Sequence, residues 1–251
     1  MATLRTHLLL TITTSALLGC GDNAFKQFAK EEALTQEEEQ KDQAIDAIVS
    51  KDWNSAAVIL EQIVTENPEN YEAKSMLGNV QMKQTGLDAI EFADKIEKSE
   101  SEDGTIQVGA LLEELPEGSA ENVELLQKAK DTFESIPDEN LNATQKTQKA
   151  VAEFSYSMVL AKSTVLDEDG NYDPEKASDL TVEEAEEIVE HMDAAADTLL
   201  GIGGDQNISA AQRLDATVEQ INNFEGEDLS EKLKAFLEAE TQKQEAASSS
   251  Q

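Results

Sequence analysis

Few side chains in this sequence are suited to nucleophilic or metal chemistry, and they stand far apart. Cysteine occurs once, at Cys20, and histidine twice, at His7 and His191. His191 follows Glu187 by one helical turn, a spacing at which the two can share a metal ion; a partly exposed helix histidine is the plainer reading. A Ser-His-Asp arrangement outside the first residues has only His191 to use, and no serine stands in a G-x-S-x-G elbow. Carboxylates in pairs recur along the whole chain, so no one pair marks general acid and base. The stretch GIGG at 201–204 lacks the lysine of a phosphate loop and any preceding strand, and reads as a helix stop. The densest set of metal-type oxygens is DEDGNYD, where Asp167, Asp169, Asn171 and Asp173 alternate around Gly170. Oxygen donors at alternate positions with a glycine for the turn are what a calcium loop needs.

The elements that must hold these groups are helices. Alanine, leucine, glutamate, lysine and glutamine dominate, and these lose least on entering a helix. Valine and isoleucine never gather into alternating runs, and aromatics make up only 4% of the chain, so the fold class is all-α. The 251 residues carry 53 acidic against 19 basic side chains, a formal net charge of −34. Such a field repels nucleic acid and anionic lipid, and it attracts a basic partner or divalent cations. Arginine occurs only at Arg5 and Arg213, so no arginine cluster exists to clasp phosphate.

Apolar spacing marks helices in pairs. Ala44, Ile45, Ala47, Ile48 and Val49 give one face, and Ala56, Ala57, Ile59, Leu60, Ile63 and Val64 give the next, which Pro68 ends. Ala73, Met76, Leu77 and Val80 mark a third helix up to Gly86, and Ala89, Ile90, Phe92, Ala93 and Ile96 a fourth. Beyond the charged break at 98–105, helices are expected over 106–115, 122–136 and 142–166, with Ala150, Val151, Phe154, Met158 and Val159 in the core stripe of the last. Thr181 with Glu184 has capping-box spacing and opens a helix to Leu200. Ser209 with Gln212 repeats that spacing, and Leu229 to Ala239 is the final helix. The acidic loop at 167–173 does not fit an EF-hand, which needs glycine and glutamate where Tyr172 and Ser178 stand. An inter-helix loop and a calcium loop therefore both remain open there.

Two resemblances complete the reading. Residues 1–7 carry one arginine and no acid, residues 8–18 are uncharged and apolar, and Leu17-Leu18-Gly19-Cys20 follows. This resembles the bacterial lipobox, which implies cleavage before Cys20 and attachment of lipid to its sulfur, with no second thiol left for a disulfide. More than one acyl chain gives stable anchoring. The aspartate that favours inner-membrane retention when it directly follows the cysteine is here one place later, at Asp22, which leans the expected location towards the periplasmic face of the outer membrane. Residues 67–96, NPENYEAKSMLGNVQMKQTGLDAIEFADKI, resemble the tetratricopeptide (TPR) repeat: an Asn-Pro turn, then Leu77-Gly78 at a close helix crossing, then Ala89 and Ala93 facing a neighbour. The stretch with Trp53, Ala56, Leu60, Ile63 and Pro68 fits the second half of a preceding repeat, whereas Gln81 replaces the usual aromatic.

The organisation expected is a signal peptide at 1–19, a tether and start of the first helix at 20–36, TPR-like repeats at 37–97, degenerate TPR-like hairpins at 98–240 and a disordered tail at 241–251. The resemblance implies antiparallel helix pairs stacked as an α-solenoid. It also implies a non-enzymatic scaffold that grips another envelope protein or peptide, with Tyr71, Asn79 and Lys83 as groove candidates and no cofactor beyond calcium. The alternative is a periplasmic component that binds a small ligand or divalent cation. Replacing Cys20 by serine is expected to shift the chain from the membrane to the soluble fraction and to abolish incorporation of labelled palmitate. Full membrane retention of that variant would overturn the anchor.

Overall fold

The computed structural model describes residues 35–99, 104–167 and 171–248. Helices make up nearly all of it: α1 (Gln36–Val49), α2 (Trp53–Glu66), α3 (Tyr71–Gln84), α4 (Ala89–Lys98), α5 (Val108–Glu114), α6 (Ala120–Glu134), α7 (Ala143–Val165), the single turn α8 (Pro174–Ala177), α9 (Val182–Ile202), α10 (Asp205–Asn223) and α11 (Leu229–Ser248). A 3₁₀ turn at Asp138–Asn140 joins α6 to α7. The class is all-α, and an isolated bridge between Leu166 and Tyr172 is the sole β pairing among the described residues.

Local chemistry starts the helices. The carboxylate of Asp52 accepts from the Ser55 N–H, Asn70 accepts from Ala73, and Asp88 accepts from Ile90 and Glu91. Asn142 with Gln145 and Thr181 with Glu184 form complete capping boxes, each satisfying two backbone donors that a helix start leaves open. Gly203 and Gly204, both at positive φ (74° and 86°), make the turn between α9 and α10. Only glycine takes two such residues in succession cheaply. The stop therefore falls at Gly203, and α9 runs two residues beyond Leu200.

Cross-helix contacts show a serial antiparallel stack. Gln84, at the end of α3, donates to Asn54, near the start of α2 (2.8 Å). Lys74 donates to the Ser135 carbonyl (3.3 Å) and Thr132 to the Gln81 side chain (3.1 Å), so α6 runs opposite to α3. Thr198 reaches Glu153 (3.1 Å) while Tyr156 reaches Glu187 (2.7 Å), which sets α9 antiparallel to α7. The order of packing is α2, α3, α6, α7, α9, α10. Helices α4 and α5 leave this series; α4 lies against α7 and α10, and α5 lies against α11. Phe92 of α4 stacks on Phe154 of α7 with centroids 6.2 Å apart. Lys162 of α7 donates to the carbonyls of Leu112 and Leu115 (3.0 and 3.2 Å), occupying acceptors that the end of α5 leaves open.

Two sequence expectations change, and a third gains its partner. Ser209 lies inside α10, which starts at Asp205 behind the glycine pair, so the Ser209–Gln212 spacing caps nothing. The expected disordered tail is helical through Ser248. Its Gln, Lys and Ala favour helix without an apolar face, and Gln242–Glu238 and Lys243–Glu240 contacts support the turn. The close crossing expected at Gly78 is made with α6. A Cβ on Gly78 would stand 2.6 Å from the ring of Phe133, which is wholly buried. The small residue thus seats a ring from the helix that follows α3 in the stack.

Gly78→Ala is expected to lower stability by about 1–2 kcal/mol, because overpacking against an immobile ring costs more than the ~1 kcal/mol of helix propensity gained. A urea midpoint that rises or stays put would contradict the close approach.

Candidate interaction cleft and a buried polar cluster

Helix α7 carries different chemistry on two of its sides. On one, Ala150, Val151 and Phe154 form the floor of a cleft whose walls come from α4 (Ile90, Ala93, Ile96) and from α9 and α10 (Leu199, Ala210, Leu214). Its volume is about 250 Å³. Small side chains leave the space open: Ala93 on α4, Ala150 on the floor and Ala210 on α10. Asp94 and Glu97 border the cleft from α4, and Gln206 and Asn207 from α10. Asp94 pairs with Lys98 (2.5 Å) in solvent. Asn207 donates its amide to the Gly203 carbonyl (2.9 Å), which leaves its own side-chain oxygen to accept.

On another side, α7 meets α6 and α9 through a polar cluster. Glu153 is 2% exposed and accepts from Thr198. Burial, opposed by the attraction of Lys149 and the Thr198 bond, pushes its carboxyl from 4.5 up to about 7. Lys130, itself 7% exposed, sits over the Tyr156 ring at 5.6 Å and pairs with Asp131 (2.8 Å) and Glu134 (3.3 Å). Burial works against its charge, but these carboxylates outweigh it and raise the lysine. Tyr156 donates to Glu187, and burial followed by that bond holds the phenol above its ordinary range. His191 packs edge-on to Tyr156 with centroids 5.4 Å apart. Burial, then the Lys130 charge, pulls the imidazole below its usual value. The raised carboxyl can hold or release a proton near neutral pH beside the Thr198 hydroxyl.

The residues singled out from sequence fare unequally. Cys20, the signal segment and Asp169 lie outside the described residues. Asp167 accepts from the backbone of Asn171 (2.8 Å), and the Asp173 carboxylate caps α8 by accepting from Glu175 and Lys176. Two of the four calcium candidates therefore close their own loop. Among the described residues, no group of three or more His, Cys, Asp or Glu converges as a metal site. Glu187 accepts from the Tyr156 hydroxyl (2.7 Å), and His191 packs on the same Tyr156 ring.

Tyr71, Asn79 and Lys83 are spread along one helix, α3. Tyr71 and Lys83 are separated by twelve residues, about 18 Å along α3. Asn79 donates to the Ser75 carbonyl and Lys83 is paired with Asp88, so both are engaged locally. Sequence reading passed over Glu153, although a lone acid inside AVAEFSYSMV was its visible signal. The cleft had no such signal, because its walls are remote in sequence.

No protein-family model, curated protein or solved structure matches the chain. Among the described residues, no helix is long and apolar enough to cross a membrane.

The carboxyl of Glu153 makes stability depend on pH with a definite sign. Below 4.5 it is protonated folded or unfolded; between 4.5 and about 7 the folded state holds the proton more tightly. Stability is therefore lost as pH rises through that window. Glu153→Gln keeps an acceptor for Thr198 and removes the penalty. It should stabilise the chain by roughly 3 kcal/mol at mildly alkaline pH and by almost nothing in acid. Urea titrations of both proteins across pH check this, and an equal effect at both ends would contradict it.

Proposed function

We propose that this chain is a lipid-anchored, non-enzymatic scaffold of the bacterial envelope that faces the periplasm and binds another protein through its helical stack. The outer membrane is the proposed location. The observation that carries the binding role is the open cleft between α4, α7 and α10. It is smaller than the roughly 300–1,000 Å³ of ordinary small-molecule sites, and it suits a single anchoring side chain from a partner surface. Ile90 at its border is 51% exposed, so apolar surface continues outward from the cleft. The lipobox-like Leu17-Leu18-Gly19-Cys20 supports the anchor, and the serial helix stack supports the TPR-like reading. Stacked helices of this kind present broad surfaces to protein partners.

A photo-crosslinking amino acid at Ile90, in cells producing the full chain, is expected to give one discrete adduct. The same probe at exposed Glu183 should not give it, and Ala93→Trp, which fills the cleft, should abolish it. An Ile90 probe that yields no adduct, or an adduct indifferent to Ala93→Trp, would overturn the docking role.

A further inference from the structure

We infer that the occupant of the cleft is a basic segment of the partner, with one bulky apolar side chain inserted and lysine or arginine beside it. This rests on the reading of the cleft as a docking site. Three observations select that chemistry.

The first is size. A cavity of about 250 Å³ with a floor of Phe154, Val151 and Ala150 admits an apolar anchor but not an extended ligand. The second is backbone geometry. The described residues present no sheet edge to which a strand could add, so affinity must come from side chains rather than main-chain pairing. The third is charge. Asp94 and Glu97 stand on the α4 border, and Glu97 makes no ion pair among the described residues. Of the lysines on α4, Lys95 is taken up by Glu91 and Glu114, and Lys98 pairs with Asp94 in an exposed setting, where such a pair contributes little. The opposite border offers neutral amides, Gln206 and Asn207, with the Asn207 carbonyl oxygen left to accept from an N–H donor.

A cation next to an apolar anchor therefore meets carboxylates on one border and an acceptor on the other. An acidic segment would meet Glu97 and the field of a chain with net charge −34. The apolar part supplies seating, and the charges supply orientation and a faster encounter.

The test uses the purified full chain and two fluorescein-labelled amphipathic peptides, one of leucine and lysine only and one of leucine and glutamate. Fluorescence anisotropy should show the leucine–lysine peptide binding and the leucine–glutamate peptide not binding. Ala93→Trp should weaken the first by about tenfold or more, and Asp94→Asn with Glu97→Gln should weaken it severalfold at low salt. Circular dichroism checks that each variant folds; Thr147→Phe, on the other side of the cleft, replaces Ala93→Trp if the latter does not. Leucine–lysine binding indifferent to the filled cleft would be general attraction to a polyanion and would overturn the inference, as would no binding. If the peptide fails while the Ile90 crosslink persists, the basic occupant is wrong and the docking role stands. Loss of both removes the docking role as well.

Discussion

The structure depends on α7 being buried on every side. Residues 150–159 are buried without a break, ten in succession. A helix can be enclosed in this way only if its side chains are small or find partners. Ala150, Ala152, Ser155, Ser157 and Ala161 let neighbouring backbones approach, while Phe154, Met158 and Val159 fill the grooves between them. Ser157 returns its hydroxyl to the Phe154 carbonyl (2.7 Å), which spares the core an open donor. Helices α3, α4, α5, α6, α8 and α9 all rest on this one element.

That enclosure puts the cleft and the polar cluster within one helical turn of each other. Phe154 lines the cleft, and its neighbour Glu153 is bonded to α9 through Thr198. On α9, the next residue after Thr198 is Leu199, which also lines the cleft. The cross-link that fixes the spacing of α7 and α9 therefore lies directly behind the wall that a partner would touch. Burying the acid is costly, but the cost falls at a position where a defined helix separation matters.

Periodicity and capping chemistry made the helices legible from sequence. Thr181-x-x-Glu184 became a capping box and Pro68 ended α2, because these signals act within a few residues. Ser209-x-x-Gln212 misled, since the pattern occurs by chance inside a helix and the glycine pair ending five residues earlier decides the start. Pairing was less legible than helix position. Leu77-Gly78 announced a close crossing correctly, yet its partner was Phe133, some fifty residues on, because α4 was drawn away by α7 and α10. Glu153 was visible as a lone acid in an apolar run, whereas no local pattern could announce a cleft whose walls come from 90–97, 147–154 and 199–214.

The excursion of α4 and α5 also makes the cleft depend on contacts that span much of the chain. The hairpins α2–α3, α6–α7 and α9–α10 close over short connections, and loop closure at that range costs little. The Ile106 N–H, by contrast, donates to the Thr217 hydroxyl across 111 residues of chain (3.2 Å). Such a bond can form only after α10 has joined the stack. The cleft wall supplied by α4 meets the wall supplied by α10 at the same late stage. The surface proposed for a partner therefore exists only on a chain whose distant helices have already come together.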